Sequence, residues 1–402
     1  MVDAAASLHR VPPRGEGLAT NRAELAENVT VAVSTDLAAY AEVAGRGVFS
    51  PSQSPLWIES WIKELRPDYL VATLSRAGQP ILSIALEVTR KGPFRVASFM
   101  SGNHANGNMP SVTAAFAASA TAAALTALVD AIAKARPDID LVAFDRLATE
   151  IGGVRNPLLL LPHRQSPNLS LAVDLAGGFD ALLGRTSGKR KRKKHRSQTR
   201  KFETAGGFRR IKATSEAETN ALLDAFFAMK AGRFQKMGIA NVFADSEVQS
   251  FFRTIFAGAL KQPQPSFVLH GLEVGGKLRA VTGSSRAADR LVCEFGAIAD
   301  DDVAFASPGE FLFFENIKEA CDQRFAIYDF SVGDEPYKRL WCDLEIRQFD
   351  VLAPLTVKGR ALAAAMQGTS RLKSFVKNNR FVWKLVKTFR RKTAVQEQPT
   401  EE

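Results

Sequence analysis

Cysteine is scarce in this sequence. Among 402 residues there are three, Cys293, Cys321 and Cys342, an odd number with no paired metal-ligand spacing. A disulfide framework and a cysteine-built zinc site are thereby excluded, and the three thiols are expected in the core of a protein kept in a reducing cytoplasm. Five scattered histidines form no metal-binding cluster, so no metal is expected. Nucleophile-elbow, P-loop and dinucleotide fingerprints are all missing. Long apolar runs are missing too. The one candidate span, residues 114–133, is mostly alanine and carries Ser119, Thr121, Thr126 and Asp130. Alanine gains little on transfer to lipid, so this stretch reads as a soluble helix packed on a sheet. The first thirty residues are polar and dotted with proline and glycine, which describes a mobile leader over residues 1–29 rather than a signal peptide.

What is present is the composition of a folded protein, 46% hydrophobic and 24% charged, in a chain long enough for two domains. The net charge of +11 is concentrated. Residues 185–212 hold thirteen Lys/Arg against Glu203 alone, and residues 351–392 hold eleven with no acid. The rest of the chain has 29 basic and 41 acidic residues, so the folded bulk is acidic and two short segments carry the positive field.

After the leader, residues 31–33 and 70–74 read as strands around a helix at 57–65. Paired strands at 81–88 and 94–99 follow, joined by the Arg90-Lys91-Gly92-Pro93 turn. A Gly/Asn/His loop, 101–110, precedes the alanine-rich helix, and strands at 141–144 and 169–175 close the first half. The second half replays this order. Helices at 217–229 and 247–260 lead to strands at 267–274 and 278–285 about a Gly275-Gly276 turn. A strand at 291–298, a helix at 311–321 and strands at 325–330 and 345–351 complete it. The copies share order rather than residue identity, which implies a tandem repeat of one α/β unit.

The most specific stretch runs from Phe325 to Trp341. An aromatic-rich apolar run, read as a buried strand, breaks at Gly333-Asp334-Glu335-Pro336 and sets Tyr337, Lys338 and Arg339 just past the strand end. Open α/β sheets gather ligand-binding groups at such places. The run resembles the DF-x-x-GDEPYK-x-x-W signature of GNAT-superfamily acyltransferases of the CelD-like group, which is linked to cellulose and polysaccharide biosynthesis. The resemblance implies an α/β (α+β) fold of two tandem GNAT-like acyl-CoA N-acyltransferase units, as in FemAB-type proteins. Each would be a mixed, mostly antiparallel sheet flanked by helices. On this reading residues 30–180 form the N-terminal unit, 181–215 a basic linker helix, 216–356 the C-terminal unit with the donor site, and 357–402 a basic amphipathic helix and disordered tail. The motifs fall between residues 267 and 354; elsewhere only the order of elements agrees.

Ser307-Pro308-Gly309-Glu310 before the apolar run from Phe311 spells a capping box, with Ser307 the cap, Pro308 at the first helical position and Glu310 reaching back. First-turn amides carry partial positive charge, and Gly309 lets a ligand approach the backbone. The resemblance implies that this helix start, Ser307, Pro308, Gly309, Glu310 and Phe311, holds the pyrophosphate of acetyl-CoA or another acyl-CoA. The superfamily's Gln/Arg-x-x-Gly-x-Gly/Ala pattern is absent, and Ser-Pro-Gly stands in its place, as in CelD-like members.

Acyl transfer from a thioester needs a deprotonated acceptor and a protonated leaving thiolate. Glu294, a lone charge among apolar neighbours, is expected to be partly desolvated with its pKa raised toward that of a working base; the alternative has it facing solvent on an antiparallel strand. Tyr337 matches the place where the resemblance implies a tyrosine acid near the coenzyme A sulfur, or else it anchors the turn. Asp334, Glu335 and Lys338 are candidate acceptor-binding residues, the alternative being that the acids pair with Lys338 and Arg339. Trp341 reads as core.

Residues 189–201 can form a helix with Arg192, Arg196 and Arg200 along one face, provided an acidic surface or an anion offsets the repulsion. A structural linker is one reading and contact with phosphates, including those of RNA, another. With Phe202 and Phe208 the only aromatics, base stacking is poorly supported. In residues 370–392, Leu372, Phe375, Val376, Val382, Leu385, Val386 and Phe389 recur at helical spacing among Lys and Arg. That pattern suits docking on the domain or peripheral contact with an anionic membrane. The expectation is a cytoplasmic acyltransferase using acyl-CoA and an amine or hydroxyl acceptor in polysaccharide or cell-envelope biosynthesis. Beside it stand a Fem-like transferase drawing on aminoacyl-tRNA and a catalytically silent scaffold of a synthesis complex.

Overall fold

The period-two apolar runs of both halves enter one sheet. The computed structural model describes residues 29–378. The first half contributes β1 (Val29–Ser34), β2 (Tyr69–Arg76), β3 (Gln79–Lys91), β4 (Phe94–Phe99), the short β5 (Ser111–Val112), β6 (Leu141–Leu147), a small ribbon of β7 (Glu150–Ile151) and β8 (Val154–Arg155), and β9 (His163–Asp174). The second half contributes β10 (Phe208–Lys212), β11 (Phe267–Val274), β12 (Lys277–Ala287), β13 (Arg290–Ile298), β14 (Ile327–Val332) and β15 (Leu344–Pro354).

The sheet order is β1-β2-β3-β4-β6-β15-β9-β14-β13-β12-β11-β10, with β5 added beside β3. It reads the same from either end once each first-half strand is matched to its counterpart. The halves therefore repeat one α/β unit in tandem, and they exchange their last strands. β15 pairs with β6 of the first half, β9 pairs with β14 of the second, and the two exchanged strands pair with each other. In each half one pair is parallel, β4 with β6 and β13 with β14; the other ladders are antiparallel.

Local chemistry accounts for the turns. Gly275 and Gly276 take φ of +57° and +74°, the left-handed pair that a two-residue hairpin needs. The alanine-rich stretch is two helices, Ala114–Ser119 and Ala122–Ala135, rather than one. Thr121 leaves the helical region (φ −122°, ψ 153°), and its hydroxyl caps Ala124 N instead. The 216–237 helix runs on to Met237, where Gly238 at φ +60° ends it.

The helices Pro55–Leu65 and Ser246–Ala259, one from each half, pack together on the same face of the sheet. Phe251 meets Trp57 and Trp61 edge-on at 5.0 and 4.9 Å, and Trp57 and Phe251 are fully buried, each worth about 1.5–3 kcal/mol of apolar burial. The opposite face of the second half is covered by the helix Pro308–Asp322. Cys293 is buried as expected, while Cys321 and Cys342 are half-buried. Trp341 is core. No helix among the described residues is long and apolar enough to cross a membrane. The leader expected at 1–29, apart from Val29, which opens β1, and the end of the amphipathic segment beyond residue 378 lie outside the described residues.

Candidate active site

β13 and β14 run parallel only from Arg290–Ile327 to Val292–Asp329, then part. β14 turns away because Ser331 adopts φ +58° and its ladder to β9 shifts between Asp329 and Val332. β13 continues to Ile298, held by β12 on its other edge. Beyond Val292 the facing edge of β13 has no strand partner among the described residues, which leaves a slot with backbone groups able to bind an extended ligand.

The ladder between β12 and β13 slips at this level. Gly283 pairs with Phe295 and Ser284 with Cys293, so Glu294 is the bulged residue. A side chain at position 283 would place its Cβ 2.2 Å from the Phe295 ring, so the bulge depends on glycine there. Ser285 Oγ donates to Glu294 Oε1 at 2.5 Å. Burial pushes the Glu294 carboxyl up to about 8; the Ser285 bond pulls it back and the Asp329 carboxylate adds to the rise. A carboxyl with that pKa exchanges its proton near neutral pH.

Tyr337 sits in the short helix Pro336–Arg339 with 41% of the residue exposed. Its ring stacks on Phe313 (5.6 Å, 12°) and meets Phe330 edge-on at 6.3 Å. Partial burial raises the phenol above its ordinary pKa. Phe313 belongs to the Pro308–Asp322 helix and packs with Cys293, whereas Glu294 bonds Ser285 on the other side of the strand. The two candidate catalytic groups thus approach the split from opposite faces.

The helix mouth differs from its expected form. Pro308 does open the Pro308–Asp322 helix, but no capping box forms. Ser307 is left-handed (φ +56°, ψ +60°) and makes no side-chain cap. Glu310 pairs with Lys194 of the helix Gly188–Thr204 that lies alongside, a charged partner being stronger than a backbone amide. Glu310 N and Phe311 N both donate to Ser307 O, while Gly309 N has no backbone acceptor among the described residues. Gln198 secures the approach by donating to Ala306 O and Ser307 O at 2.9 and 3.0 Å. A Cβ on Gly309 would lie 2.6 Å from Ile298 Cγ2, so the helix start rests directly on the end of β13. Phe311 is buried beneath His195 (4.4 Å, 9°) and Phe202, which makes it a packing residue.

The turn charges are used internally. Lys338 is 4% exposed, donates to Val332 O at 2.8 Å and pairs with Glu335 at 3.1 Å. Arg339 Nε pairs with Asp334 at 2.5 Å and the guanidinium also reaches Glu345. Lys338 therefore closes the end of β14, and the pairing alternative for Asp334, Glu335 and Lys338 is the one built.

A residue not singled out from the sequence lies at the split itself. Asp329 is 8% exposed; Ser331 N donates to its Oδ1 at 2.7 Å, and Arg290 Nη1 is 4.0 Å from its Oδ2. Burial raises its carboxyl. The signal was an acid flanked by Tyr328 and Phe330 within an apolar strand. Cys293, whose thiol burial pushes up to about 12, is inert.

On the basic helix, Lys191, His195, Gln198 and Phe202 face inward, and His195 pairs with Glu315 at 2.6 Å. Lys189, Arg190, Lys193, Arg196 and Arg200 are exposed and make no ion pair among the described residues. Nor is there, among those residues, a group of His, Cys, Asp and Glu able to hold a metal.

No curated protein matches this chain. The family model of the acetyltransferase (GNAT) domain matches residues 189–339, a segment that contains the split, the bulge and the helix mouth but is under half of the chain. FemX shares the fold, with a TM-score of 0.54 at 13% identity over 80% of this chain and 96% of FemX. A conserved protein of unknown function from Bacteroides thetaiotaomicron gives 0.49 at 12% identity over 80% and 99%, and L-PGS from Bacillus licheniformis 0.45 at 12% over 79% and 96%. The enzyme is an acyltransferase whose residues 189–339 form a domain of the GNAT superfamily.

Proposed function

We propose that the enzyme transfers an acyl group from an acyl-CoA, acetyl-CoA in the simplest case, to an amine or hydroxyl acceptor in polysaccharide or cell-envelope biosynthesis. One observation carries the reading: β13 and β14 part beyond Val292 and Asp329, with a bulge that leaves Glu294 beside the opening. Edge amides of β13 are suited to polarising a thioester carbonyl. Glu294 takes the acceptor proton, and Tyr337 protonates the departing thiolate from the other face. The Gly309 amide is left to the donor's diphosphate. CelD-like membership rests on the DF-x-x-GDEPYK-x-x-W match, and cytoplasmic residence with membrane contact through residues 370–392 belongs to the same proposal. A thermal-shift titration tests the donor. Coenzyme A and acetyl-CoA should raise the melting temperature saturably, as expected for a ligand that adds about 2.7 kcal/mol at a hundredfold excess over Kd. No shift with either rejects the reading in favour of the silent scaffold.

The exposed basic stripe beside the helix mouth favours a second reading, a Fem-like transferase fed by aminoacyl-tRNA. Saturable tRNA binding with a steep salt slope supports it; binding no tighter than to any polyanion removes it.

A further inference from the structure

Where the two halves meet, on the face of the sheet that carries Glu294, there is a cavity of about 30 Å³. Asp329, Ser170 and Gln348 of the central strands line it, Arg290 stands at its side, and Pro51 and Asn106 of the first half roof it. Its polar lining is deeply buried, with Ser170 1%, Gln348 3%, Asp329 8% and Arg290 9% exposed.

Gln348 Nε2 donates to Ser170 Oγ at 3.1 Å, and Gln348 Oε1 has no partner among the described residues. Arg290 Nε likewise has no hydrogen-bond partner there and stands 3.9 Å from Asp289 Oδ1. Buried polar groups are normally satisfied, and each unpaired one costs about 1–3 kcal/mol. The unmatched atoms are one acceptor and one donor on the lining of the same cavity, the two complements of a hydroxyl. An alkylamine arrives at neutral pH as an ammonium, which donates three times, accepts nothing, would face the Arg290 charge and must lose a proton before it can attack. The volume admits the end of a side group and little more.

We propose that this cavity seats the reacting hydroxyl of the acceptor, making the enzyme an O-acyltransferase for a primary alcohol. The inference rests on the acyl-transfer reading and narrows its acceptor. The hydroxyl oxygen accepts from Arg290 and donates to Gln348. Its remaining lone pair faces the opening that begins at Val292 and Asp329. The oxygen forms a C–O bond to the thioester carbonyl carbon as the C–S bond breaks and its electron pair leaves with sulfur. During attack the hydroxyl turns its one proton from Gln348 to the Asp329 carboxylate in the cavity wall, Tyr337 protonates the departing thiolate, and an ester and a free thiol result. Arg290 holds the hydroxyl oxygen in place for attack, and the negative charge that develops on the carbonyl oxygen falls to the edge amides of β13.

The test uses the full chain with acetyl-CoA and follows thiol release in the presence of 1-propanol, 1-aminopropane or neither, with products identified by mass. 1-Propanol should accelerate release and yield propyl acetate, and 1-aminopropane should not. Gln348→Leu should raise the KM for 1-propanol ~10-fold, with coenzyme A stabilising that variant as it does the wild type. Asp329→Asn, which retains an acceptor for Ser331 N, serves as a second variant, and melting curves verify that both fold. Preference for the amine, or an unchanged 1-propanol KM in both variants, overturns the assignment. So does thiol release indifferent to both probes, which marks the cavity as a seat for structural water. Failure of coenzyme A to stabilise the wild type is a separate result, and it removes the acyl-transfer reading itself.

Discussion

Glu294 shows how one bulge sets a pKa. Were β13 regular, residue 294 would pair across to β12; the slip at Gly283 instead leaves it unpaired, half-buried and within reach of Ser285. A general base works in its ionised form. With the carboxyl pushed up to about 8, that form grows as pH rises through this value, so kcat/KM should climb with pH and level off above it. Ser285→Ala removes a bond that favours the charged form and should move the midpoint upward. Glu294→Gln should lower turnover ~10²- to 10⁴-fold. A pH–rate profile flat across this region would remove the role. Tyr337→Phe should lower turnover while leaving the coenzyme A thermal shift unchanged, because its ring still stacks on Phe313; wild-type turnover would show the hydroxyl to be idle. At this scale the sequence was partly legible. A lone acid among apolar neighbours pointed to Glu294, and the same signal at Asp329 was masked by its place inside a longer motif. The pairing of Lys338 with Glu335 was legible, whereas its bonds to the carbonyls of Ser331 and Val332 were not, because the bend that turns them toward it shows only in the fold.

At the scale of elements, the basic helix is held by its inner face and by two ion pairs at its rim, Lys194 with Glu310 and Arg192 with Asp180. His195 stacks between Phe311 and Phe314 at 4.4 and 4.1 Å, and Gln198 ties it to the helix mouth. Replacing Lys189, Arg190, Lys193, Arg196 and Arg200 by Gln should therefore leave the melting temperature unchanged or raise it, since like charges at i,i+4 cost about 0.2–0.5 kcal/mol per pair. His195→Ala should destabilise by roughly 1–3 kcal/mol through two lost ring contacts. Equilibrium denaturation measures both, and a large loss from the quintuple variant would mean that the outer stripe is structural. The helix itself was readable from its residue spacing. The capping box was misread because Ser-x-x-Glu states only local preference, and Glu310 was claimed by Lys194, a residue far away in sequence.

Across the whole molecule, the strand exchange makes each half incomplete without the other. β9 has both its neighbours, β14 and β15, in the second half, and β15 has both of its own, β6 and β9, in the first. Element order was legible from alternation and turn residues, but partner choice was not, because no local pattern says which distant edge a strand will join. The boundaries drawn at 180 and 216 follow chain order, whereas the sheet crosses them. If the halves were independent domains, residues 29–206 and 207–378 would each fold alone. The topology predicts otherwise. The first fragment would bare one edge of β6 and both edges of β9, and the second one edge of β14 and both edges of β15; exposed apolar strand edges aggregate. Separately expressed fragments should be insoluble or molten and co-expressed ones should assemble, while the full chain should unfold in one transition seen alike by Trp57 and Trp61 fluorescence and by a probe at Cys342. Two separate transitions, or a soluble and cooperatively melting fragment, would show that the exchanged strands decorate the halves rather than complete them.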